Sequence, residues 1–510
     1  MNTVKRPMVL FSADINKEMH QDKTPQPPQI KALHVSPECA PLSKKGGLGD
    51  VAGSLPKALR GAGVDARVLT PAWPGVLDKA RELGALPQRP VGAVSVAINW
   101  RAVTAKVWRA NISGLPVYIL ENDELFSNGD IYPDTLNAET AEPMIFLSYA
   151  AMELEHAAKW KPYIIHSHDW PTAAIPAALR WHRHYASRAA DYDTVHTIHN
   201  IAHQGLFSYD CLNGWGFRPD SYWGTFEFYG QVNLMKGAIN NAEAVTAVSP
   251  SYSWDIQTRD GGFGLDGVMA ANKQKLSGIL NGIDYDVWNP RADKLIPAHY
   301  SADRLDGKKS CRRALMEKFG WEDDGRPLVI FVGRLTEQKG VDIMLDALAQ
   351  FMPDGIYALI IGSGSDMFNR RLEDFRAAHA ECVRTVTGFS EETAHLAYAG
   401  GDILVMPSLF EPCGLSQLIA FAYGTIPVAR ATGGLADTVI DADGSPDGTG
   451  FLFTDYRIDE LAKALGRALA AKADAERWRR IMRSAMKRDF SWNASAAEYA
   501  GLYKKILKSE

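Results

Sequence analysis

The sequence predicts an α/β protein built from two doubly wound domains that face each other across a cleft. Three observations carry this. Short continuous apolar runs, rich in Val and Ile, alternate with helical segments, which is the pattern of parallel strands buried on both faces. The series lapses over 284–304 into polar, proline-containing chain (WNPRADKLIPAHYSADR) and starts afresh at Leu328. At 510 residues the chain exceeds what one ordinary core holds.

The elements follow in order. Residues 1–29 read as a flexible tail, because TPQPPQ at 24–29 is proline-rich and nothing periodic precedes it. Asp14, Glu18 and Asp22 do not suit a transit peptide, and no signal-peptide core is evident. Strands are expected at 32–36, 66–70, 117–120, 163–166, 194–198 and 244–248 in the first half, and at 329–332, 358–361, 383–387, 403–406 and 426–429 in the second. Residues 91–107 alternate with period two and read as a hairpin inserted in the first sheet. Helical segments between the strands imply right-handed crossovers. The domains expected are 30–288 and 289–490, with a helical segment at 491–510 packing back on the first domain. Ligands of such sheets bind at the carboxyl ends of the strands, so the shared cleft is where chemistry is expected.

Composition excludes several classes. With 46% hydrophobic and 23% charged residues the chain is globular, and its net charge of −5 argues against nucleic-acid partners. No apolar run approaches the roughly 20 residues that cross a membrane. The five cysteines are far apart with no CxxC pair, which favours reduced thiols and a cytoplasmic location. Thirteen Trp and eighteen Tyr suffice to line a sugar groove, although most belong in cores.

The motifs sit at expected strand ends. Residues 404–439 carry one acid, Glu411, then Gly414 before an apolar helix, and Thr432, Gly433 and Gly434 before another. Free N–H groups at a helix start can hold phosphate, so a lone acid beside them suits a sugar joined to a phosphate. Ordinary tight β–α connections explain the same glycines equally well. SKKGGLGDV at 43–51 offers Gly46, Gly47 and Gly49 for close backbone approach and Lys44 or Lys45 for a diphosphate; a glycine-rich connection with solvated lysines is the alternative. HSHDW at 166–170 ends a strand in the cleft, and its His–x–His–Asp run has no nearby third and fourth ligand, so no metal is expected. In HTIHN at 196–200, His196 reads as a core histidine and His199 as a ligand-reaching one. In GRLTEQKG at 333–340, Arg334 and Lys339 can converge on a departing diphosphate, a lever on the order of 10³-fold for one arginine in phosphate chemistry. IGSGS at 361–365 is one more glycine turn.

Together with NLMKGAINNAEAVTAVSP (233–250) and LNGIDYDVWNP (280–290), these runs stand in the order and spacing of a known family. Over about residues 30–505 the chain resembles bacterial glycogen synthases and plant starch synthases, retaining glycosyltransferases of two Rossmann-like domains in the GT-B arrangement. The resemblance implies ADP-glucose as donor, the non-reducing 4-hydroxyl of an α-1,4-glucan such as glycogen as acceptor, and no cofactor or metal. It implies the acceptor on the first domain and the nucleotide sugar on the second. It assigns His168, Arg334, Lys339 and Glu411 to catalysis. It assigns Lys44, Gly46, Gly47, Asp50, His199, Asn281, Cys413, Gly414, Leu415, Thr432, Gly433, Gly434 and Leu435 to substrate binding, Cys413 with no role as nucleophile.

No paired carboxylate accompanies Glu411, so the double displacement of retaining glycosidases is not suggested. The resemblance favours a front-face route, in which the diphosphate leaves, is stabilised by Arg334 and Lys339, and takes the incoming hydroxyl's proton. Three departures from the family pattern stand out. Lys45 replaces a usual Thr, His203 stands where Tyr or another residue is common, and Pro143 in TAEPMIF (140–146) replaces an arginine. The rival readings are a related transferase with another acceptor and a glucan-binding protein without catalysis.

Overall fold

The computed structural model describes residues 29–127, 130–352, 355–388 and 390–507. The tail expected at 1–29 lies, up to residue 28, outside the described residues.

Two sheets organise the chain. The first holds nine strands, in spatial order Leu276–Gly278, Ala244–Ala247, Asp193–Ile198, Ile164–His168, Lys31–Val35, Asp65–Pro71, Leu115–Glu121, Arg101–Ile112 and Gly92–Ile98. The second holds six parallel strands in the order Val383–Thr387, Tyr357–Gly362, Leu328–Val332, Ile403–Met406, Ile426–Arg430 and Phe451–Phe453. All eleven expected core strands form. Their runs are continuous because both faces are covered; every residue of Ile164–His168 and Ile403–Met406 is buried.

The expected hairpin is Gly92–Ile98 paired antiparallel with Arg101–Ile112, at the edge of the first sheet rather than within it. Its turn residues Asn99 and Trp100 have φ of 51° and 65°, the left-handed pair that a two-residue hairpin requires. Three very short strands, Leu206–Phe207, Glu227–Phe228 and Gln231–Asn233, form a separate sheet with no legible period. Pro143 sits inside the helix Ala138–Ala158, whose start is secured by a reciprocal cap between Asn137 and Thr140.

The first core covers the nine-stranded sheet, and residues from Ile283 onward, including Ile296 and Tyr300, pack into the second. The chain then returns. Ile283 bridges Ser491, and the helix Trp492–Ile506 buries Trp492, Ala496, Tyr499 and Tyr503 together with Val51, Leu55 and Leu59 of the helix Gly47–Gly61.

Candidate active site

The strand Ile403–Met406 delivers the 407–415 loop into the cleft. Glu411 on that loop is 5% exposed. Its Oε2 lies 2.5 Å from Nζ of Lys339 and accepts from the Ser408 hydroxyl at 3.0 Å. Lys339 arrives from the end of Leu328–Val332 through the short turn Glu337–Lys339. Gly340 follows with φ 71°, and a Cβ there would stand 2.1 Å from the Pro407 carbonyl oxygen. The two cations of GRLTEQKG therefore differ. Lys339 neutralises Glu411, whereas Arg334 is exposed and forms no ion pair among the described residues. Burial, and then the charge of Arg334, lowers the pKa of His203 from across the cleft.

The turn at 432–434 serves the Glu411 loop directly. A Cβ on Gly433 would stand 2.0 Å from the Glu411 carbonyl oxygen, and one on Gly434 2.1 Å from that of Cys413. These glycines let two backbones touch. Their N–H groups, expected to face phosphate, are engaged otherwise: Gly433 donates to Asp255 Oδ2 at 3.1 Å and Gly434 to the Glu411 carbonyl at 3.0 Å. Leu435 is fully buried in the second core, so it braces the loop from behind. Gly414 has φ 73°, and the apolar helix begins two residues later, at Ser416. Cys413 is buried beside Asn281, and burial pushes its thiol up to about 12, so it stays protonated and inert. The Asn281 side-chain oxygen is buried without a partner among the described residues.

From the first domain, the SKKGGLGDV turn meets this loop: a Cβ on Gly47 would lie 3.3 Å from Cδ1 of Leu415. Neither lysine of the turn stands free, because Lys44 pairs with Asp50 and Lys45 with Asp130, each at 2.7 Å. The turn is shaped by Glu38, which is 1% exposed. Its Oε2 accepts from the backbone N–H groups of Lys45 and Gly46, and its Oε1 from the Tyr132 hydroxyl at 2.6 Å. Sequence reasoning missed Glu38; the available signal was a carboxylate just past a buried strand, ahead of a glycine turn.

His168 differs from expectation. It is fully buried, with Nε2 3.1 Å from His34 Nδ1 and Nδ1 3.0 Å from His199 Nε2. Both ring nitrogens are engaged, so in this arrangement it has none left for a sugar hydroxyl. His199 stands in front of it and retains an Nδ1 with no partner among the described residues. Burial lowers His168 well below the usual imidazole range and His199 to about 3, so both are neutral. His196 is a core histidine, between the Ser167 hydroxyl and the Met235 sulfur. Asp169 holds the His199 segment: its Oδ1 accepts from the N–H groups of His199 at 2.7 Å and Asn200 at 3.2 Å. Burial raises its carboxyl to about 7, against the lowering by those two bonds.

This geometry has close relatives. Residues 31–271 match the starch synthase catalytic domain family, and residues 313–485 match the glycosyl transferases group 1 family. Glycogen synthase 2 of Geobacter metallireducens is 40% identical over 484 residues, covering 93% of this chain and 98% of that protein. Glycogen synthase 1 of Methylococcus capsulatus is 39% identical over 497 residues, 94% and 97% of the two chains. The catalytic domain of starch synthase IV from Arabidopsis thaliana, solved bound to ADP and acarbose, superposes with a TM-score of 0.87 at 32% identity, covering 94% of this chain and all of that one. Sucrose-phosphate synthase from Thermosynechococcus elongatus, at 20% identity and a TM-score of 0.58, shares the fold. The chain belongs to the glycogen and starch synthase family, and its two facing parallel-sheet domains are the GT-B fold of that family's glucosyltransferases.

Proposed function

We propose that this synthase transfers glucose from ADP-glucose to the non-reducing 4-hydroxyl of an α-1,4-glucan with retention of configuration. The observation that carries the reading is the Lys339–Glu411 pair, on the same cleft as an exposed Arg334 that forms no ion pair among the described residues, in a chain similar over its length to glycogen synthases. ADP on the Arabidopsis relative supports ADP as the leaving group. Arg334 has its charge available for the diphosphate. Glu411, held by Lys339 and Ser408, is placed to accept hydrogen bonds from donor hydroxyls. The bond from C1 to the diphosphate oxygen breaks, the bond from C1 to the acceptor O4 forms on the same face, and the hydroxyl proton passes to the departing diphosphate. Gly47 against Leu415 supports a closed cleft that keeps water from the donor. The five free cysteines support a cytoplasmic enzyme. Among the described residues no helix is long and apolar enough to cross a membrane.

The test is incorporation of labelled glucose into glycogen, with ADP-glucose and UDP-glucose side by side and no metal added. Transfer from ADP-glucose is expected. Transfer from UDP-glucose alone overturns the donor assignment, and transfer from neither overturns the function.

A further inference from the structure

Behind the cleft a hydrogen-bonded chain of side chains runs through the first sheet. From the cleft, His199 Nε2 meets His168 Nδ1 at 3.0 Å, and His168 Nε2 meets His34 Nδ1 at 3.1 Å. His34 Nε2 then meets the Tyr503 hydroxyl at 3.2 Å, and that hydroxyl meets His166 Nδ1 at 2.7 Å. His166 Nε2 reaches the Thr197 hydroxyl at 2.6 Å, and Thr197 reaches Thr246 at 2.6 Å. His34, His166 and His168 are fully buried, and Tyr503 comes from the C-terminal helix.

Three of these imidazoles, His34, His166 and His168, stand close enough together to suggest a metal site. All six of their ring nitrogens are engaged in the bonds above, which leaves no lone pair directed at an ion. The cluster is better described as a relay. Burial keeps the histidines neutral, with His34 and His199 down at about 3. A neutral imidazole has one N–H and one bare nitrogen. The Tyr503 hydroxyl has two neighbours and one proton, so it donates to one and accepts from the other. Only two patterns then satisfy every link. Either all four imidazoles carry hydrogen on Nε2, or all four carry it on Nδ1. A mixed pattern sets two donors or two bare acceptors face to face in a dry interior, or leaves the phenolic proton unused.

We propose that Tyr503 is a positioning residue: its hydroxyl ties the tautomer of His166 to that of the directly bonded row His34, His168 and His199, so the C-terminal helix couples the nitrogen His199 offers the cleft, donor or acceptor, to the interior of the sheet. In the Nε2 pattern the open Nδ1 of His199 accepts from a sugar hydroxyl, and in the Nδ1 pattern it donates to one. The chemical class read at this point is a sugar hydroxyl, and the inference rests on the site reading above.

Neutron diffraction from crystals of the full-length protein shows the ring deuterons directly. The expected map has all four imidazoles singly protonated on the same nitrogen. Tyr503→Phe keeps the ring and removes the link. In it, His166 is no longer correlated with His34, the detached row of His34, His168 and His199 divides between the two tautomers, and kcat falls by about twofold or more while the donor KM stays unchanged. Protons on unlike nitrogens of His34 and His168, a doubly protonated ring, or a metal peak among His34, His166 and His168 overturns the proposal. So does a Tyr503→Phe protein with lowered thermal stability but wild-type kcat. Should that variant not fold, the wild-type map decides alone. The map is independent of turnover, so an inactive protein with uniform tautomers overturns the proposed function and leaves the relay standing.

Discussion

Glu411 and Lys339 have 6% and 21% of their side chains exposed and lie 2.5 Å apart. Removing one member of such a pair leaves the other poorly solvated, so each substitution acts on more than its own hydrogen bonds. Glu411→Gln and Lys339→Met are each expected to lower kcat/KM on the order of 10³-fold with the fold retained, measured by glucose incorporation and circular dichroism. Asp169 makes a pH prediction. Its carboxyl is raised to about 7 by burial, above the roughly 3.9 of an unfolded chain. The folded state therefore binds this proton more tightly than the unfolded one. The stability it contributes is full below about pH 4 and is lost as pH rises through about 7. Asp169→Asn keeps the Oδ1 acceptor for His199 and Asn200, and is expected to flatten this part of the profile in urea unfolding at pH 5 and pH 8.

At the scale of elements, the glycine turns do two different jobs. Gly433 has φ 46° and its Cβ position is blocked by the Glu411 backbone at 2.0 Å. Gly433→Ala is expected to cost about 1–3 kcal/mol of stability and to move the Glu411 loop, so that activity falls with it. Gly47 meets only the tip of Leu415, at 3.3 Å. A leucine methyl yields by a few tenths of an ångström, so Gly47→Ala is expected to keep most of the activity. A melting curve beside a rate assay for the two variants separates backbone necessity from side-chain contact. The helix Ala138–Ala158 makes a related point: its Pro143 is accommodated within the helix, and Glu142 beside it bonds Asn99 and Arg101 of the hairpin.

Across the whole molecule, the two halves meet through the helix Pro250–Asp255. The Ser249 hydroxyl donates to the Pro412 carbonyl, the Ser251 N–H and hydroxyl both donate to Asp437, and Asp255 accepts from Gly433. The rings of Phe263 and Phe410 add an edge contact at 5.1 Å. These bonds hold the cleft in its present closure. Asp437→Ala removes both Ser251 bonds and is expected to increase the radius of gyration in small-angle scattering and to lower kcat, with the melting temperature of each core little changed.

The sequence by itself determined the two sheets and the strands that build them. Parallel strands covered on both faces must be continuous apolar runs, and in such sheets the functional loops leave from strand ends. It also determined the family, through motifs in order. It did not reveal the small sheet of Leu206–Phe207 and its neighbours, because strands of two or three residues have no period to read. Only the tertiary structure decided who partners whom. His34 and His168 are 134 positions apart, and His34 and Tyr503 are 469 apart. Lys339 finds Glu411 across 72 positions. Strand order and the returning C-terminal helix bring these groups together. No local pattern in a chain encodes which distant proton donor will face which acceptor in a dry interior; only the folded strand order makes those pairings.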